Sequence, residues 1–192
     1  MDIGIPIKDW GAVDATVLRE AILGQDNLAW NENEQRQDDY DVHRQTESIV
    51  MLFASLTWPQ MTITREKGWD RIANVVNPIM AEIIERFYPP GGTIVRAVAA
   101  KLLAGGSITP HIDSLPSFAY GHRIHIPVTT NKLVRFMIDG QPYRFEIGNV
   151  YEINNLKTHS VMNAGKEDRI SFIFDYIPPD VAKAQNAVFV NA

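Results

Sequence analysis

The strongest constraint on this chain is a change of hydrophobic period at Gly91-Gly92. Before it, Trp69, Ile72, Val75, Val76, Ile79, Met80, Ile83, Ile84 and Phe87 recur at helical spacing. That pattern predicts an amphipathic helix ending before Pro89-Pro90-Gly91-Gly92, with Pro78 as a kink. After the glycine pair the period becomes two. Eight short β-rich runs follow, roughly 93–103, 107–112, 122–129, 133–138, 142–147, 149–154, 158–164 and 168–176. Turn residues separate them at Gly105-Gly106, Asp139-Gly140, Gly148, Asn154-Asn155 and Asn163-Ala164-Gly165, and Asp-Gly between alternating runs is a strong hairpin signal. Eight short antiparallel strands with N-terminal helices predict a mainly β chain built on a barrel or a two-sheet jelly roll.

The 192 residues are read as a single domain, 45% hydrophobic and 21% charged, enough for a sizeable core and a soluble surface. Residues 1–92 are expected to form a helical and loop scaffold that also supplies the substrate lid, 93–177 the β core, and 178–192 a tail with a short helix. Asp14 is placed to cap a helix running through Val17, Leu18, Ala21 and Ile22 to Gly24. The polar segment 31–44 reads as an exposed flap. A net charge of −5 gives no electrostatic footprint for nucleic acid or an anionic membrane, so neither is expected as a partner. The absence of cysteine excludes disulfides, thiolate metal sites and a cysteine nucleophile, leaving His, Asp and Glu to hold any metal. With no leader-like N-terminus and no run approaching the ~18 apolar residues of a membrane span, a cytoplasmic location is expected. Nothing in the sequence sets an oligomeric state.

Four of the five histidines lie in the β-rich half: His111, His122, His125 and His159. His111 and Asp113 are two apart, so in a strand an imidazole and a carboxylate point to one face and can converge on an ion. His159, in a later strand, supplies a third donor. Two histidines and one carboxylate form the facial triad of non-haem Fe(II) oxygenases, which leaves positions open for a co-substrate and oxygen. Such a pair alone is common in ordinary turns; the third ligand raises its weight. Arg169 opens the last run, where odd positions share a face with Ser171. An inward arginine is costly unless it meets an anion, and its planar fork suits a carboxylate, to which Ser171 could add a hydroxyl. Arg123 and His125 are likewise i and i+2 and could reach the same ligand, whereas His122 points to the opposite face and reads as structural. Trp58 and Tyr120 are possible substrate contacts, though aromatics there more often serve packing.

The combination of Pro-His-Ile-Asp (110–113), His-Arg-Ile-His-Ile-Pro (122–127), His159 and Arg-Ile-Ser-Phe-Ile-Phe-Asp-Tyr (169–176) resembles the aspartyl/asparaginyl β-hydroxylase family, which includes small free-proline hydroxylases. That family lies within the Fe(II)/2-oxoglutarate-dependent dioxygenases. The resemblance spans roughly residues 93–177. It implies a double-stranded β-helix, the cupin-like form of the jelly roll, with His111, Asp113 and His159 as iron ligands. It further implies that Arg169 pairs with the distal carboxylate of 2-oxoglutarate, with Arg123 and His125 near its other end. The implied reaction consumes O2 and couples C–H hydroxylation of the substrate to decarboxylation of 2-oxoglutarate to succinate. Some animal members lack the carboxylate ligand that Asp113 supplies here, and this chain lacks the repeat domain with which long members bind folded proteins. The expected substrate is therefore a free amino acid or a short peptide, including a peptidyl Asp or Asn side chain. For its carboxylate, Arg123 is the first candidate cation, with Arg65 and Arg44 behind it.

Two other readings compete. A cupin-like metal enzyme that does without 2-oxoglutarate would show a glycine-rich motif with two histidines and a glutamate, which is not found. A non-catalytic jelly-roll binding module would give no reason for Arg169 at the start of the last strand.

Overall fold

The computed structural model describes residues 1–32 and 45–192, so the flap read at 31–44 lies almost wholly outside the described residues. In chain order the elements are β1 (Ile7–Ala12), α1 (Thr16–Leu23), α2 (Asn27–Asn31), β2 (Thr46–Ala54), β3 (Gln60–Arg65), α3 (Lys67–Phe87), β4 (Thr93–Leu102), β5 (Ser107–His111), α4 (Pro116–Tyr120), β6 (His122–Thr129), β7 (Val134–Ile138), β8 (Gln141–Tyr143), β9 (Asn149–Ile153), β10 (His159–Asn163), β11 (Arg169–Ile177), α5 (Pro179–Ala184) and β12 (Val188–Asn191). The period change thus separates the one long helix, α3, from the eight strands β4 to β11. These strands belong to two sheets, one ordered β1-β9-β6-β11-β4-β2-β3-β12 and the other β5-β10-β7-β8. The fold is mainly β, a jelly roll of the cupin type, as expected.

Alternation along each strand of the larger sheet sends side chains to two different environments. Its outer face, with Val95, Ala97 and Ala99 of β4, Ile124, Ile126 and Val128 of β6 and Phe172, Phe174 and Tyr176 of β11, packs on α1 and α3. α3 buries Ile72, Val76, Ile79, Met80 and Ile83, positions that fall on one helical stripe, and it continues through Pro78. Gly68 in its first turn lets the helix approach β2, since a Cβ there would lie 2.4 Å from the Val50 carbonyl oxygen. The inner face packs on the smaller sheet through a second, smaller cluster that includes Leu102, Phe136, Phe145, Tyr151 and Val161. Asp139 and Gly140 both have positive φ (51° and 76°), the backbone that a two-residue I′ hairpin turn needs between β7 and β8.

Several expectations need correction. Residues 1–92 are not only helices and loops, because β1, β2 and β3 all join the larger sheet. β2 is buried along most of its length between β4 and β3, a pairing set by distant residues that no local signal announces. The tail forms α5 and then a strand, β12, parallel to β3. α1 starts at Thr16, and Asp14 accepts the Thr16 N–H (3.1 Å) in a turn ahead of the helix rather than capping it. The run expected over 142–147 stays in the ladder only to Tyr143, after which Phe145 stacks against Phe136 and Tyr151. No helix among the described residues is long and apolar enough to cross a membrane.

Candidate metal centre

His111 ends β5, His159 begins β10, and the two are register partners across the ladder, with ring centroids 4.3 Å apart. Asp113 lies two residues past the end of β5, where its N–H donates to the Asn155 carbonyl (3.1 Å). The convergence read from i and i+2 spacing is therefore completed outside the strand, by a loop contact. His111 Nε2 is 3.8 Å from Asp113 Oδ1 and His159 Nε2 is 3.9 Å from Asp113 Oδ2. The three donor atoms all lie within 4.8 Å of one another.

Each imidazole is oriented in the same way. His111 Nδ1 lies 2.8 Å from the Thr109 carbonyl oxygen and His159 Nδ1 lies 2.9 Å from that of Lys157. A carbonyl can only accept, so Nδ1 carries the proton and Nε2 presents its lone pair to the shared space. Burial lowers the pKa of His159, against the pull of Asp113, which favours the neutral form a metal requires. Among the described residues this is the one cluster of His and carboxylate donors that could hold an ion. Two nitrogens and one carboxylate with this tautomer control fit a first-row divalent metal.

A cavity between the sheets runs from His111 and His159 to Arg169. Arg169, His125 and Ser171 are all buried on the inner face, and Phe136 forms a wall for two of them: the Arg169 guanidinium is 5.7 Å and the His125 ring 5.9 Å from its ring centroid. Cross-strand register sets the rows. Arg169 pairs with Leu102, which pairs with Thr46, and Ser171 pairs with Ala100, which pairs with Ser48. Arg169 Nη2, Ser171 Oγ, Ser48 Oγ and both ring nitrogens of His125 have no hydrogen-bond partner among the described residues. Burial brings the Arg169 pKa down to about 10. It also holds that of His125 well below the usual histidine value, with Arg169, Arg123 and His159 adding to the effect. A buried cation ringed by unpaired hydroxyls and a neutral imidazole is expensive unless an anion joins it, so the donor set fits a carboxylate.

Of the remaining sequence candidates, Arg123 lines the same cavity, whereas His122, Trp58, Tyr120 and Arg65 do not. Arg123 shares the inner face of β6 with His125, but its guanidinium is engaged. It donates to Asp113 Oδ2 (2.8 Å) and, as a two-pronged fork, to Asp175 Oδ1 and Oδ2 (2.9 and 2.8 Å). His122 does point to the outer face, where Glu152 accepts from both it and the Tyr88 hydroxyl. Trp58 and Tyr120 stack on each other at 4.7 Å. Arg65 lies over Trp69, and Arg44 is outside the described residues. Sequence reasoning missed Asp175 and Ser48. Asp175 continues the odd-numbered face of Arg169 and Ser171, so alternation alone would have found it; Ser48 needed the β2 register.

A jelly roll carrying two histidines and a carboxylate beside a buried arginine defines the class of 2-oxoglutarate- and Fe(II)-dependent oxygenases. Comparison with known proteins carries this further: the sequence profile of the family described as Aspartyl/Asparaginyl beta-hydroxylase matches residues 14–179, and the chain belongs to that family. Among solved structures, the chain is similar to an oxidoreductase of the 2OG-Fe(II) oxygenase family from Burkholderia pseudomallei. The identity is 14% and the TM-score 0.54, covering 69% of this chain and 67% of that one. It is also similar to a non-heme monooxygenase, ThoJ, solved as a nickel complex, with 13% identity and TM-score 0.55 over 91% of this chain and 74% of that one. At such identities the likeness is one of fold. No curated protein matches the sequence.

Proposed function

We propose that this oxygenase hydroxylates a free amino acid or a short peptide, including a peptidyl Asp or Asn side chain, with 2-oxoglutarate as co-substrate. The observation that carries the reading is Arg169, a buried guanidinium with an unpartnered Nη2 that lines the same cavity as His111 and His159. His111, Asp113 and His159 would hold the iron. When bound, iron with 2-oxoglutarate supplies the activation of O2, giving hydroxylated product, succinate and carbon dioxide.

The protein's own residues bind and orient. Arg169 takes the distal carboxylate through a charge-assisted fork, and the hydroxyls of Ser171 and Ser48 lie on the neighbouring row to donate to it. His125, kept neutral by burial, offers one N–H donor without adding a second positive charge. Phe136 and the apolar residues around it exclude water, which strengthens each of these contacts. The net charge of −5 favours recognition of an anionic substrate group by a few placed cations rather than by the overall field. The segment 114–121, which contains α4, and the N-terminal region are the candidates for a lid over the substrate.

The test is an anaerobic titration with Mn(II) and 2-oxoglutarate, followed by aerobic succinate assays and mass spectrometry. Products gaining one oxygen are sought on free amino acids, on Asp- and Asn-containing peptides and on a panel of folded domains. The reading expects 2-oxoglutarate to bind and a hydroxylated amino acid or peptide to form with succinate. Hydroxylation confined to the folded domains would overturn the substrate class, and failure of 2-oxoglutarate to bind would overturn the whole reading.

A further inference from the structure

Two of the three proposed metal donors have an evident outer partner, since backbone carbonyls fix the His111 and His159 rings. Asp113 lies past the end of β5 on the way into α4, where its N–H donates to the Asn155 carbonyl. Its Oδ2 accepts from Arg123 Nη1 at 2.8 Å. Arg123 is itself immobilised: it faces Asp175 across the β6–β11 ladder and grips both oxygens of that carboxylate. Asp175 is buried, with Arg96 Nη1 also 3.8 Å from its Oδ2. The Phe118 ring of α4 covers the Arg123 guanidinium at 4.3 Å.

We infer that Arg123, clamped by Asp175, is the positioning residue for Asp113: it sets the carboxylate's orientation toward the two Nε2 atoms. The proposal rests on reading His111, Asp113 and His159 as the metal triad. Its physical basis is geometric. A rigid guanidinium plane held at two points by one carboxylate can direct its remaining prong at another with little freedom, so the Asp113 side chain is ordered before a metal arrives. Outer partners of this kind are what hold metal-binding side chains in productive geometry.

The experiment measures Mn(II) affinity of the full chain without 2-oxoglutarate, by the loss of the free Mn(II) paramagnetic resonance signal. Arg123→Lys keeps the charge and loses the fork, while Asp175→Asn keeps an acceptor for Arg123 and loosens the clamp. Both are expected to weaken Mn(II) binding by about 10- to 100-fold, the usual effect of losing an outer partner. Circular dichroism and a melting curve confirm that each variant is folded. The decisive comparison is made in an Asp113→Ala background, where Arg123→Lys is expected to cause no further loss, because its effect passes through Asp113. An additional loss of similar size in that background would overturn the proposal, as would unchanged Mn(II) binding in both single variants. His159→Ala separates this outcome from failure of the underlying reading. If that variant binds Mn(II) normally the triad itself is wrong, whereas loss there with normal binding in the Arg123 and Asp175 variants overturns only the positioning role.

Discussion

The two faces of β11 make the most instructive contrast in the molecule. Every residue of this strand is buried, yet alternate positions meet opposite conditions. Ile170, Phe172, Phe174 and Tyr176 enter the apolar cluster under α1 and α3. Arg169, Ser171 and Asp175, with Ile173 among them, face the interior of the roll. The outer face also holds a buried carboxylate, Glu152, but His122 and Tyr88 meet both of its oxygens. On the inner face Arg169 Nη2 and Ser171 Oγ are left unmatched among the described residues. Burial alone therefore does not distinguish stability from function; satisfaction of the buried polar groups does. One face stabilises the fold, and the other carries unsatisfied polar groups that a ligand can match.

Single substitutions on opposite faces of the same strand should break this symmetry in opposite directions. Phe174→Ala removes a fully buried ring from the outer cluster and is expected to cost ~3–5 kcal/mol of folding stability in a urea titration. A loss below about 1 kcal/mol would mean the outer face is not the stabilising one. Arg169→Leu, five residues earlier on the inner face, is expected to leave stability unchanged or raised, because it removes a buried charge without its anion. The same change is expected to weaken 2-oxoglutarate binding by ~2–4 kcal/mol, tens- to several hundred-fold by calorimetry, with Arg169→Lys recovering only part. Marked destabilisation by Arg169→Leu would show that the guanidinium serves the fold.

The smallest expected effect concerns pH. Burial lowers the His125 pKa in the folded state below the usual 6.5, so the unfolded chain takes up a proton that the folded interior resists. The stability contributed by the neutral ring is complete above that usual value and is lost as pH falls below it toward the folded pKa. His159 is shifted in the same direction and adds to the slope. Melting temperatures measured from pH 7.5 down to 5 should therefore fall, and His125→Phe should flatten the fall without abolishing it. An unchanged pH profile in that variant would mean that water or a counter-charge reaches the inner face there.

Where a local rule applied, the sequence was informative. Alternation along 169–176 placed Arg169 and Ser171 on one face, Asp139-Gly140 marked a hairpin turn, and His111, Asp113 and His159 come together in the structure. What escaped was set by distant pairing. β2 joins β4 and brings Ser48 level with Ser171, although 47–56 offers only an apolar run that suits a helix or a strand equally. β12 exists because β3 offers it an edge. The partnership of Arg123 with Asp175 depends on the β6–β11 register, so the resemblance that put Arg123 beside the co-substrate had no means of showing that two carboxylates hold it.

The position of β11 also bears on the order in which the molecule comes apart. It lies between β6 and β4 in the interior of the larger sheet, with both edges paired and nine buried residues in succession. Amides in such a strand exchange with deuterated solvent only through the largest openings, whereas strands at the margins, such as β8 and β12, open in local events. Arg169 therefore belongs to the last cooperative unit to unfold. Partial fraying of the edge strands can come and go while the residue proposed to anchor the co-substrate stays in register, so occupancy of that end of the cavity is tied to global rather than local unfolding.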